Sequence, residues 1–293
     1  MNDETHRVQL PDGPIARSGG SGIKSKTVLR WAVRVLSRLS GNVLAQRLLN
    51  HVVTACQALQ GVGYGAPVAS SGERSVLLKL SAEKPVNELC VFDVGANKGQ
   101  FLAMALDALN DCCFHIHAFE PSIQTYQVVA GRFGTHDAVT VNNFALGREN
   151  GIQTLFFNAQ GSGIASLTKR RLDHFGITMN LQEEVRVQTI DDYCRVHGIE
   201  QIDLLKIDVE EHELDVLAGA AEMLGKCAVR SVTFEFGGCN IDTRTFFRDF
   251  YYLFSRYGMK LARIGPGGFR SNINEYREIY EQFRTTNFVA WLS

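Results

Sequence analysis

The 293-residue chain lacks several features that would place it at once. Its seven cysteines, an odd number, form no CxxC or other ligand-pair spacing, so neither a metal framework nor a disulfide scaffold is expected. They read as small hydrophobes kept reduced. No run approaches the length of a transmembrane span, and the opening MNDETHRVQLPDGP has no apolar core of a secretory signal. A cytoplasmic protein, peripheral to a membrane at most, is expected. Net charge is only -1, too little for a broad basic field, so no nucleic-acid partner is expected. One absence is local: from Lys24 to Gly72 there is no Asp or Glu, while Lys24, Lys26, Arg30, Arg34, Arg38 and Arg47 all fall there.

What is present divides into three parts. Residues 1–26 mix Gly, Ser, Pro and charge without periodicity and read as a disordered tail. Residues 27–75 read as a basic helical extension and linker. Val28, Trp31, Val35 and Leu39 recur at spacings of three and four beside the stripe Arg30, Arg34 and Arg38. Gly41-Asn42 breaks the pattern, a second helix runs over Leu44, Leu48, Leu49 and Val52, and GVGYGAPVASSGE (61–73) is the linker. Two uses fit the 27–60 helices: a peripheral contact with an anionic membrane, or packing on the domain that follows or in a homodimer.

Residues 76–293 form the third part. From Leu89 on, strands alternate with helices, the pattern of a doubly wound, mostly parallel α/β sheet. LCVFDV (89–94), FHIHAF (114–119), VTVNNFAL (139–146), IDLLKID (202–208), VRSVTFEF (229–236), KLARI (260–264) and TNFVAWL (286–292) are the predicted strands. IQTLFFN (152–158) alternates and is expected to pair locally, and a helix is expected from about His212 to Leu224.

The candidate site lies at the strand ends. Asp93-Val-Gly-Ala-Asn-Lys-Gly99 joins a strand to a helix: Gly95 permits a tight turn, and Gly99 a close approach of the helix N-terminus to a ligand. The loop lacks the GxGxxG of dinucleotide-binding turns. The acid Asp93 at its start suits a ligand with a positive amine or sulfonium, as in S-adenosylmethionine, better than a pyrophosphate. Glu120 ends the second strand, where a carboxylate accepts both hydroxyls of a ribose. Asn143 and Ala145 end the third, where an adenine edge would lie. Asp208, Glu210 and His212 follow the fourth strand and Glu235 closes the fifth, so several carboxylates share one crevice and one of them is a candidate general base.

In this order the motifs VFDVGANKGQF, HAFEPS, VNNFALG, VQTIDDY, LLKIDVEEHELDVLAGA and TNFVAWL resemble the FkbM-type methyltransferases over roughly residues 89–293. The resemblance implies a Rossmann-like, seven-stranded sheet with an antiparallel last strand. It implies S-adenosylmethionine as cofactor, and transfer of methyl to a hydroxyl of a sugar, glycolipid or polyketide-like product. Asp93, Gly95, Asn97 and Gly99 would then form the cofactor loop, Glu120 would hold the ribose, and Asp208 and Glu210 would stand near the methyl group. One departure is visible: the family often has Glu-Gly where this chain has Glu210-Glu211. Since an alcohol needs a base, Glu210 is the first choice for that role and His212 the second, with Asp208 orienting the methionine amine or the acceptor. The loop with Ser162, Ser166 and Thr168 is placed to cover the acceptor, and Lys169, Arg170 and Arg171 follow it, either to read an acidic sugar or phosphate or as a solvated charge run. No spacing demands a metal. Two other readings are carried: a nicotinamide-dependent oxidoreductase and a catalytically silent binding module.

Overall fold

A computed structural model describes residues 37, 40–63, 65, 71–83 and 87–293, in two compact units, Met1–Thr54 and Ala55–Ser293. The tail predicted over 1–26 and nearly all of the first predicted helix lie outside the described residues. Helix α1 (Val43–Leu59) begins where the Gly41-Asn42 break places it, with Asn42 Oδ1 accepting from the Ala45 amide at 2.9 Å.

The second unit then runs α2 (Arg74–Ala82), β1 (Leu89–Val94), α3 (Gln100–Ala108), β2 (Phe114–Phe119), α4 (Ile123–Phe133), β3 (Val139–Asn142), β4 (Ala145–Leu146), β5 (Gly151–Phe157), β6 (Leu181–Gln188) and α5 (Ile190–His197). It continues through β7 (Leu204–Ile207), α6 (Glu213–Ala218), α7 (Ala221–Gly225), β8 (Ser231–Phe236), α8 (Phe247–Arg256), β9 (Lys260–Ile264), β10 (Arg270–Asn272) and β11 (Thr286–Trp291).

The main sheet has the order β10-β9-β11-β8-β7-β1-β2-β3. Strands β3, β2, β1, β7 and β8 are parallel, and β11 runs antiparallel between β8 and β9. The seven strands implied by the sequence are present, and β10 adds an eighth at the edge by folding back on β9. Its three residues, Arg-Ser-Asn, carry no apolar signal.

Period-two alternation divides each central strand between two cores. Phe92, Val94, Phe119, Leu205 and Ile207 face α5, α6 and α8 through Tyr193, Val216 and Phe250. Leu89, Val91, Ile116 and Leu204 face α2 and α3 through Leu77, Phe101 and Leu102. With both faces covered, the strands read as nearly continuous apolar runs, which is why their ends are legible in the sequence.

Three local differences from the expected elements have steric or compositional causes. The predicted 139–146 strand stops at Asn142, and Ala145–Leu146 leaves the main sheet to join a second sheet of order β4-β6-β5. Strand β6, unforeseen, is the antiparallel partner of β5, and only Val185 and Val187 of LQEEVRVQ are buried. The helix expected over 212–224 is interrupted at Gly219, where any Cβ would stand 2.0 Å from the Gly147 carbonyl oxygen. The stretch 61–73, read as a linker, is fastened to the catalytic unit wherever it is described. Val62 is buried, the Gly63 and Gly65 amides donate to the Thr285 carbonyl at 3.0 and 3.2 Å, and Gly72 packs against Ile264.

Candidate active site

Strand β1 has β2 on one side and β7 on the other, so the chain reverses direction across the sheet there. Ligands of open α/β sheets bind at the carboxyl ends of strands beside such a switch point. Two connected hollows occupy this place. A narrow slot of about 80 Å³ has apolar walls from Phe119, Ala145, Leu146 and Leu155, with Glu120, Asp208 and His212 at its edges. A cleft of about 800 Å³ adjoins it and takes in Glu73, Arg170, Lys206, Glu235 and Arg284. Gly95, Asn97, Gly163, Asp208 and Glu210 line both.

Of the residues picked from the sequence, Gly95, Asn97, Glu120, Ala145, Asp208, Glu210 and His212 therefore border the slot; Asp93, Gly99 and Asn143 do not. Asp93 is fully buried on the α2–α3 side of β1, opposite Lys206 in the β1–β7 register. Lys206 Nζ donates to Asp93 Oδ1 at 2.9 Å and to the Gly95 carbonyl at 3.0 Å, and lies over the Phe101 ring. The Asp93 charge expected to meet a cationic ligand is thus already met by a lysine of the chain. Burial raises the Asp93 pKa and Lys206 pulls it back, while the flanking carboxylates raise that of Lys206.

Packing within the protein also demands these glycines. Gly95 has φ 79°, and a Cβ there would stand 1.9 Å from the Asp208 carbonyl oxygen, because the β1 and β7 loops cross at this point. Gly99, expected to admit a ligand, instead makes room for the Phe133 ring, 2.4 Å from an added Cβ. Asn143, expected at an adenine edge, turns inward and donates to the Glu120 and Pro121 carbonyls at 3.0 and 2.9 Å. It braces the β2 end and leaves Ala145 and Leu146 to wall the slot.

Glu120 accepts from the Asn97 amide at 2.9 Å and the Ser122 amide at 3.0 Å, yet burial raises its pKa to about 7. Asn97 holds φ 48°, and its Oδ1 is buried with no hydrogen-bond partner among the described residues. Glu210 and Glu211 stand at φ 51° and 91°. Arg170, its side chain almost covered, donates to Glu210 Oε2 at 2.6 Å and lies 2.9 Å from Glu211 Oε1, off line for a hydrogen bond, so that second contact is coulombic. Burial, then Asp208, raise Glu210 to about 7 despite Arg170; burial raises Glu211 to about 8. Glu235 has no cationic partner among the described residues, and burial and the surrounding carboxylates push its pKa well up.

The loop 161–171 closes over this group. Ser166 Oγ donates to the Glu210 carbonyl at 2.9 Å, and Thr168 Oγ1 is 2.9 Å from His212 Nε2. His212 Nδ1 is 2.8 Å from Asp215 Oδ2, so its ring is held from both sides. Three participants were not foreseen. Arg170 lies inside a Lys-Arg-Arg run read as solvated or as facing an acidic acceptor, Glu73 inside an apparent linker, and Lys206 inside an apolar strand run. A lysine amid LLKID was itself a signal, since a buried cation needs a partner. Among the described residues no group of three or more His, Cys, Asp and Glu side chains has a metal-holding arrangement.

The departure at Glu211 has a physical reading. At φ 91° a side chain costs about 1–2 kcal/mol, the conformation that glycine, frequent at this position in the resembling family, takes freely. Glu211→Gly removes this strain and a buried carboxylate, while Arg170 keeps Glu210. Allowing for the freer unfolded chain, a gain of about 1 kcal/mol is expected, read as a melting temperature about 2–4 °C higher. A lower one would show that the Arg170–Glu211 contact outweighs the strain.

The chain is similar to several known proteins. The family model described as the methyltransferase FkbM domain matches residues 93–261, from the buried Asp93 to strand β9. A 31-O-demethyl-FK506 methyltransferase, FkbM, of Streptomyces tacrolimicus is 31% identical over 156 residues, 45% of this chain and 59% of the relative, so the chain spans well under two thirds of that protein. Among solved structures, methyltransferase FkbM from Methylobacillus flagellatus KT is similar at 17% identity and a TM-score of 0.42, over 70% of this chain and 44% of that one. The match takes in the end of β1 and all of β7 and β8 with the acidic residues at their ends, and the chain belongs to the FkbM methyltransferase domain family.

Proposed function

We propose that the chain is an S-adenosylmethionine-dependent O-methyltransferase that methylates a hydroxyl of a sugar, glycolipid or polyketide-like product. The observation that carries this reading is Glu210, a carboxylate held near neutrality at the junction of the slot and the cleft. A base with pKa near the working pH is what an alcohol acceptor requires. The Streptomyces relative's name, a 31-O-demethyl-FK506 methyltransferase, adds support for an oxygen acceptor.

The linings of the slot and the adjoining cleft suit the cofactor by their chemistry. The slot's apolar walls suit part of an aromatic base, Glu120 keeps lone pairs for a diol, and Asn97 Oδ1, without a hydrogen-bond partner among the described residues, is an acceptor for an N–H or O–H group. Asp208, half exposed at the mouth and only 3.7 Å from Lys206 Nζ at its second oxygen, is the carboxylate in reach of a cationic amine, a part the sequence offered to both Asp208 and Asp93. S-adenosylmethionine supplies a methyl group already activated on a sulfonium. The chain's task is alignment and proton removal. Glu210 takes the hydroxyl proton of an acceptor lying in the cleft; Arg170 fixes the carboxylate's position and Ser166 its backbone. His212, tied to Thr168 and Asp215, is a positioning residue for the loop in this arrangement.

The cofactor reading is tested by melting the full chain with S-adenosylhomocysteine. At one hundred times Kd, stabilisation of about 2.7 kcal/mol is expected, about 5–10 °C for a domain this size. The Asn97→Ala variant should show a smaller shift at the same concentration. A shift with NADH and none with S-adenosylhomocysteine would replace this reading with the oxidoreductase one.

A further inference from the structure

The cleft beside the slot holds a carboxylate that methyl transfer through Glu210 leaves unused. Glu235, at the end of β8, borders the cleft and not the slot. Among the described residues it has neither a hydrogen-bond donor nor a cation as partner. The groups that could have served it are committed elsewhere. Asn287, opposite Glu235 in the β8–β11 register, donates to the Gly65 carbonyl at 3.3 Å. Lys206 faces the same side of the sheet from β7, opposite Thr233, but is held by Asp93 and the Gly95 carbonyl. Arg170 is taken by Glu210 and Glu211, and Arg284 donates to Gln57 Oε1 at 2.6 Å. The charges that bear most on Glu235 have its own sign: Asp208, Glu210, Glu213 and Glu73.

A carboxylate drawn out of water among other carboxylates is costly until a cation joins it. The cofactor's amine has Asp208, which lines slot and cleft alike, and the acceptor's hydroxyl has Glu210. What is left for Glu235 is another part of the acceptor. Resting on the reading of the cleft as the acceptor's place, we propose that the acceptor is an amino alcohol of the amino-sugar kind, whose protonated amine pairs with Glu235 while its hydroxyl lies at Glu210. Two polar anchors on one small molecule also select which hydroxyl is presented to the methyl group. A neutral sugar or polyketide brings Glu235 no counter-ion.

The test is calorimetric titration of the full chain with glucose and with its 2-amino, 3-amino and 6-amino deoxy analogues, with and without saturating S-adenosylhomocysteine. At least one amine is expected to bind about tenfold tighter than glucose or better, the lower end of what close charge pairs contribute at an interface. The preference should shrink in 0.5 M NaCl as the charges are screened. Glu235→Gln should bring that amine to the affinity of glucose and leave S-adenosylhomocysteine binding as in the parent, which also shows the variant to be folded. Amines that bind no tighter than glucose overturn the inference, and so does an amine preference that Glu235→Gln keeps. Failure of S-adenosylhomocysteine to bind overturns the cofactor reading instead, and the amine preference, measured also without it, is decided separately.

Discussion

Lys206→Met is expected to destabilise the catalytic unit by about 3–5 kcal/mol, because it leaves the carboxylate of Asp93 buried without its cation. Asp93 is wholly enclosed, and among the described residues its second oxygen has no hydrogen-bond partner and Lys206 is its one charged neighbour at bonding distance. The same lysine holds the Gly95 carbonyl. Loosening the loop is therefore part of the effect, and any remaining folded protein should bind S-adenosylhomocysteine poorly. The double variant Asp93→Leu/Lys206→Met separates charge from packing. Replacing both members of a buried pair by apolar residues is often neutral, so denaturant melts should recover most of the lost stability. If the single and double variants are equally unstable, the lysine acts through Gly95 and not through charge neutralisation.

Glu210→Gln carries the second large effect: transfer should fall about a hundredfold or more, the usual scale for loss of a general base, with S-adenosylhomocysteine binding kept. It is measured with an acceptor found by screening radiolabelled methyl transfer into glycans, glycolipids and small metabolites. The pH profile supplies the sign. A base works deprotonated, so with its pKa raised to about 7 the parent's kcat/KM should climb from pH 6 to 8 and then level. In the glutamine variant that limb should disappear. Unchanged turnover in the variant removes Glu210 from the chemistry. A limb that persists in it would point to another group of the cluster, Glu235 foremost.

Part of this architecture is open to reading from the chain alone, and the reason is burial. LCVFDV, FHIHAF, SVTFEF and TNFVAW are covered on both faces, so their apolar runs mark both where strands lie and where they end. Polar residues that interrupt such a run at its carboxyl end stand at the crevice, which is how Gly95, Asn97, Glu120, Asp208 and Glu210 were found together. Strand β6, edge strand β10 and the two-residue β4 have no such contrast with solvent-exposed sequence and were missed or misjoined.

By itself the sequence determined the sheet, the order of its central strands' motifs, the family and the list of acids at the strand ends, because each follows from local pattern. Only the tertiary structure decided what those acids do. A carboxylate's role depends on neighbours brought from distant positions: Lys206 closes Asp93 113 residues away, and Arg170 meets Glu210 across 40. It also decided that Gly95 and Gly99 yield to Asp208 and Phe133, and that part of an apparent linker is fastened to the catalytic unit. Such contacts leave no periodic trace in the chain, since they are set by which loops the sheet order brings together.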